Sequence, residues 1–128
     1  EIRKRMWDMM EREDIARFPR PVHHRIPNFV NADKAALRFS QMDIFKEARV
    51  IKVNPDTPQK MVRHWVLEQG KSLLAPQPRL RTGFFSTLRK EEIPEGEGNF
   101  MKACTSAGFA QWGVPIDLDV QLNVDIIV

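Results

Sequence analysis

Residues 49–75 read RVIKVNPDTPQKMVRHWVLEQGKSLLA, and this stretch decides the fold. Val50, Ile51 and Val53 make a short β-branched run bounded by Asn54-Pro55, the pattern of a strand. Asp56 or Thr57 can cap a helix, and Pro58 suits its first position, where no backbone donor is needed. Met61, Val62, Trp65 and Val66 then recur at helical spacing, and Gly70 supplies the stop. Lys71 to Ala75 reads as a second, buried strand. Strand, helix and strand in this order form a βαβ unit, so the spacing predicts an α/β domain with a helix-covered parallel sheet.

In open α/β sheets, ligands bind outside the carboxyl ends of the strands. The segment that follows the second strand, Pro76-Gln-Pro-Arg-Leu-Arg-Thr-Gly83, is therefore the first place to look for a site. Arg79 and Arg81 alternate around Leu80, so in an extended chain both guanidiniums face the same way. Two such groups can grip a phosphate or carboxylate, and Gly83 permits a tight turn or close backbone approach. A polar edge strand with solvated arginines is the alternative.

Upstream, Ile2, Met6, Met9 and Met10 lie at helical spacing, with Arg3, Lys4, Glu11 and Arg12 opposite. This predicts an amphipathic helix over residues 1–16, its methionines in the core. Three prolines between Pro19 and Pro27 forbid a helix there, so residues 18–29 read as an extended connection. His23 and His24 are adjacent and point to opposite sides of an extended chain, which disfavours a shared metal. Arg20 or Arg25 could meet an anion. Asn31 is placed to cap a second helix, with Asp33 in its first turn, carrying Leu37, Gln41, Ile44 and Phe45 and ending before Arg49.

Downstream, residues 89–98 read as a charged surface loop. Gly96-Glu97-Gly98 lacks the preceding strand and basic residue of a nucleotide loop. Asn99 can cap a helix that Gly108 would stop, with Cys104 on it as a buried, inert thiol. Trp112 to Ile116 reads as a strand or connection, and Val124 to Val128 as another buried strand.

The chain has 128 residues, is 42% hydrophobic and 29% charged, and carries a net charge of +3. That suits one domain or part of a larger one, and it is too apolar for wholesale disorder. No apolar run approaches the ~20 residues that cross a bilayer. The single cysteine excludes an internal disulfide and a cysteine-rich zinc site, and suits the reducing cytoplasm or nucleus. Residues 1–90 carry 19 basic and 10 acidic side chains, whereas residues 91–128 carry 1 and 7. The basic part could face a nucleotide or an RNA backbone. Without an initiator Met, and ending inside an apolar run, the chain reads as a fragment.

Four motifs carry a resemblance: Phe18-Pro-Arg-Pro-Val-His-His-Arg-Ile-Pro-Asn-Phe29, Pro78-Arg-Leu-Arg-Thr-Gly83, the Cys-x-Thr-Ser-x-Gly-like pattern at Cys104 to Gly108, and Val114-Pro-Ile. Through them the chain resembles proteins built on a methenyltetrahydrofolate synthetase domain, within the 5-formyltetrahydrofolate cyclo-ligase-like family. The resemblance implies a three-layer α/β fold, of which residues 1–128 form the N-terminal part. It also implies enzymes that use ATP and Mg²⁺ to close 5-formyltetrahydrofolate to 5,10-methenyltetrahydrofolate. ATP phosphorylates the formyl oxygen, the N10 amine attacks, and phosphate leaves.

Arg3 matches the family's phosphate-contacting arginine, but the lysine four residues earlier would precede Glu1. Where the enzymes carry an acidic folate contact, this chain has the neutral Asn54. Their Ile-Pro-Arg/Lys becomes Ala75-Pro-Gln-Pro-Arg79. Their Gly-rich phosphate loop falls past Val128. The resemblance further implies an RNA recognition motif beyond this chain. The expectation is a cyclo-ligase-like domain of an RNA-binding protein with folate catalysis lost or unproven; the alternative is an active ATP-dependent cyclo-ligase forming 5,10-methenyltetrahydrofolate. Arg3, Arg79, Arg81 and Gly83 are the candidate site, with ATP, Mg²⁺, folate and RNA as ligands and no membrane.

Overall fold

A computed structural model describes residues 1–77, 84–117 and 123–128. The βαβ reading is realised. Strand β3 (Val50–Lys52) leads through a 3-10 turn (Thr57–Gln59) into helix α4 (Lys60–Glu68), and β4 (Ser72–Pro76) lies parallel to β3. The helix ends as Gly70 implied. Gly70 takes φ +74°, its N–H donates to Leu67 O, and the Lys71 N–H donates to Val66 O. This doubled closure satisfies carbonyls that the last turn would leave open.

β5 (Phe85–Leu88) and β6 (Val114–Ile116) extend the sheet beyond β4, and β7 (Ile126–Ile127) pairs in parallel with β3. The order is β6-β5-β4-β3-β7. Only β5 runs against the rest, so the sheet is mixed but mostly parallel in direction. Sequence reading placed no element at β5. Ile51, Val53, Leu73, Ala75 and Leu88 turn one face of the sheet into a single apolar cluster with Phe45, Val62, Val66, Leu67, Ala103 and Phe109. Alternation puts Leu74 on the other face, in a cross-strand row with Val114, Thr87, Lys52 and Ile127. Among the described residues, the helices of the main core lie on the first face alone. Among the described residues β7 is last in the strand order; Ile126 and Val128 pack against the core, and Ile127 on the other face is exposed. Asp125 ties β7 down by accepting the Arg49 and Val50 N–H groups at 2.8 and 3.0 Å.

The second helix is broken. α2 (Ala32–Ser40) and α3 (Asp43–Glu47) are separated at Gln41-Met42, where Met42 is extended. Ser40 Oγ donates to Leu37 O at 2.6 Å, the kind of local bond that competes with helix continuation. Asn31 holds the N-cap position in a left-handed conformation, without a side-chain cap bond.

Gly108 does not stop a helix. α5 (Asn99–Ala103) ends before it, and Gly108 sits inside α6 (Ser106–Trp112). A Cβ there would lie 2.0 Å from Lys102 O, so this glycine lets α6 meet the end of α5. Thr105 caps α6 by accepting the Gly108 N–H.

The N-terminal region differs. α1 (Ile2–Arg12) is shorter than expected, because Asp14 turns left-handed at φ 55° and Ala16 enters β1 (Ala16–Arg17), antiparallel to β2 (Asn28–Phe29). Its methionine stripe is only partly core. Met10 joins Ala16 and Val22 in a small separate cluster, whereas Ile2 and Met6 are exposed. His23 and His24 do not diverge as in an extended chain. His24 takes φ 62°, and both rings pack on Trp7, with centroids 6.0 and 5.2 Å away.

Candidate functional site

The turn that leaves β3 and the end of β4 meet the α5–α6 junction, and a cavity opens where they converge. It has a volume of about 90 Å³ and lies outside the carboxyl ends of these strands. Pro55, Ala75, Pro76 and Phe109 make its apolar wall. Arg63, Gln77, Thr105 and Ser106 bring its polar groups.

Arg63 organises this place. It projects from α4 and is 3% exposed. Nε donates to Cys104 O at 2.8 Å, and Nη1 donates to Asn54 O at 2.7 Å and Asp56 O at 3.0 Å. One guanidinium thus joins the β3–α4 turn to the α5–α6 junction. Burial pushes its pKa down, and Cys104 and Asp56 oppose the shift. Cys104 is fully buried, and burial pushes its thiol up to about 11, so it is the inert residue the sequence suggested. Among the described residues, Arg63 is the only titratable side chain lining the cavity. Its described lining thus combines hydrogen-bonding side chains, one cation and an apolar wall.

Asn54 faces elsewhere. Its Oδ1 accepts from Lys52 Nζ at 3.2 Å, and that ammonium stands 5.7 Å from the Phe85 ring centroid, on the sheet face away from the helices.

Of the expected site residues, only Arg3 is among those described, and it does not line this cavity. Arg3 belongs to the N-terminal region, is 80% exposed at its side chain, and donates from Nε to Glu1. It lines a separate open groove with Trp7, His24 and Arg25. Arg79, Arg81 and Gly83 lie outside the described residues. Arg20 is taken by Glu11 and Asp14, each at 2.8 Å. Among the described residues no three His, Cys, Asp or Glu side chains could hold a metal, and no helix is long and apolar enough to cross a membrane. Sequence reading missed Arg63. The available signal was a charged residue inside the run from Met61 to Leu67, beside the buried Val62 and Val66.

A mostly parallel α/β sheet with helices packed on it and a small cavity beyond its strand ends defines an α/β domain of the open-sheet class. Comparison with known proteins places it more closely: the chain matches the 5-formyltetrahydrofolate cyclo-ligase family over residues 1–126 and belongs to that family. It is 48% identical over 129 residues to a Bos taurus methenyltetrahydrofolate synthase domain-containing protein, covering 100% of this chain and 33% of that one. The Mus musculus protein of that name is 49% identical over 128 residues, covering 99% and 34%. The Homo sapiens one is 42% identical over 129 residues, covering 100% and 33%. The chain thus spans about a third of the length of these relatives. No solved structure matches it.

Proposed function

We propose that this chain is a cyclo-ligase-like domain that binds a small molecule without turning it over, as part of a longer protein that engages RNA. One observation carries the loss of catalysis. Among the described residues, the only titratable group on the cavity wall is Arg63, and two of its three nitrogens already hold backbone carbonyls. Phosphoryl transfer needs cations around the moving phosphoryl group. The neutral Asn54, where the family's enzymes carry an acid, and its turn toward Lys52 support the same reading. The RNA half rests on the family resemblance and on the basic balance of residues 1–90.

The test is the appearance of methenyltetrahydrofolate absorbance from 5-formyltetrahydrofolate and MgATP. The expected result is none, for this chain and for the longer protein alike. Product above the enzyme-free control overturns the reading. For RNA, the longer protein is expected to retain it and the isolated chain to release it. Equal retention by both would move RNA contact into this domain.

The family match over residues 1–126 favours a second reading, an active ATP-dependent cyclo-ligase. In that case Arg3 contacts an ATP phosphate, Arg79 and Arg81 with Gly83 clamp a phosphate or the folate glutamate tail, and Mg²⁺ accompanies ATP. Replacing both Arg79 and Arg81 with Ala should then weaken MgATP or folate binding and leave the melting temperature unchanged. Unaltered binding removes them from the site.

A further inference from the structure

We infer that the Arg63 cavity is a receptor for a small aliphatic carboxylate, anchored by the second terminal nitrogen of Arg63. This rests on the reading of the cavity as a binding pocket, and it adds the class of ligand. Nε and both hydrogens of Nη1 are committed to Cys104, Asn54 and Asp56 carbonyls. No described residue accepts from Nη2, although the side chain is buried and lines the cavity. All three existing partners are neutral carbonyls, so no described carboxylate cancels the charge at hydrogen-bond range. A buried cation in that condition gains most from an anion that reaches its free donor.

Size and wall chemistry narrow the anion. A volume of about 90 Å³ is well below that of a pocket for a drug-sized ligand, so it admits only a small one. Pro55, Ala75, Pro76 and Phe109 offer no polar side chain, so the body of the ligand is hydrocarbon. Inorganic phosphate, which spreads charge over several oxygens, fits a nest of donors rather than one guanidinium nitrogen. A carboxylate needs less. One oxygen can take Nη2, and the other can take the Ser106 hydroxyl, whose present bond to Pro55 O is long at 3.5 Å. Acetate, propionate and butyrate span the chain lengths that suit this space.

The experiment titrates the 128-residue chain with these three anions against chloride at matched ionic strength. Melting temperature and the amide resonances of Asn54, Cys104 and Ser106 are followed together. The expected result is a rise of about 3–5 °C at several-fold excess over Kd, growing with the logarithm of concentration, with saturable shifts centred on those amides. Inorganic phosphate is expected to produce neither. Ser106 is exposed, so Ser106→Phe should close the mouth of the cavity while leaving Arg63 in place. Its unliganded melting temperature should match the parent, and its carboxylate response should vanish. A parent chain indifferent to carboxylates, or a response that survives Ser106→Phe, overturns the inference. If phosphate or MgATP shifts these amides and carboxylates do not, the ligand class is wrong while the binding reading stands. If none of them does, both fall.

Discussion

Residues 1–30 and the α/β core bury apolar surface on different scales. The first gathers Met10, Ala16 and Val22. The second gathers Phe45, Ile51, Val66, Leu67, Leu73, Leu88 and more around one sheet face. The N-terminal region compensates with charge. Asp8 accepts from Lys4 Nζ and pairs with His23, each at 2.7 Å. Glu11 takes Arg20 and the Val22 N–H, and Asp14 takes Arg20. Such contacts are solvent-screened and individually weak, whereas core burial is not. The two regions should therefore fail under different conditions: the core when its packing is cut, the N-terminal region when its charges are removed.

The largest expected effect is in the core. Phe45 is fully buried, with an edge-on contact to Phe39 and the Lys71 ammonium 5.4 Å from its centroid. Phe45→Ala should cost about 3–5 kcal/mol in denaturant unfolding. A loss below 1 kcal/mol would mean that this cluster does not hold the domain. Gly108→Ala comes next. Its Cβ would meet backbone at Lys102 rather than a yielding side chain, so about 1–3 kcal/mol is expected. Wild-type stability in this variant would show that α5 and α6 are not as close as described.

The acid response separates the regions. Hydrogen bonds from Lys4 and then His23 lower the Asp8 pKa, and bonds from Arg20 and then the Val22 N–H lower that of Glu11. A bond from Arg20 likewise lowers that of Asp14. These folded pKa values lie below the unfolded ones. Their stabilisation is therefore complete above the ordinary carboxylate range and disappears as pH falls through the depressed values, below about pH 4. The Trp7 indole resonance, beside His23 and His24, should move in that window before the core loses its circular dichroism. Coincident transitions would erase the distinction between the regions. The smallest effect is expected from Arg20→Ala. Hydrogen exchange at the Val22 amide should quicken while the unfolding midpoint stays put, and an unchanged exchange rate would show that Glu11 holds Val22 without Arg20.

How much was legible in advance depends on the range of each interaction. The end of α4 at Gly70 was readable because its closure involves neighbours no more than five residues apart. Gly108 was misread because its reason is the approach of α6 to the carbonyl of Lys102, and a glycine looks the same whether it ends a helix or admits a neighbour. β5 was overlooked because Phe85 to Leu88 has only four residues and gains its identity from pairing with β4 and β6. The methionine stripe of α1 was half misjudged, since periodicity names the apolar face but not how much of it finds a partner.

By itself, then, the amino-acid order determined the βαβ unit, with its β-branched run, Pro55 and Pro58 and its glycine stop, together with the charge contrast between residues 1–90 and 91–128. These follow from backbone sterics and short-range periodicity. Tertiary structure alone decided that Arg63 would lie buried and bonded to the carbonyl of Cys104, 41 residues away, with a cavity beside it. A guanidinium on a helix is an ordinary solvated group until folding brings distant carbonyls within 3 Å of it and takes the water away.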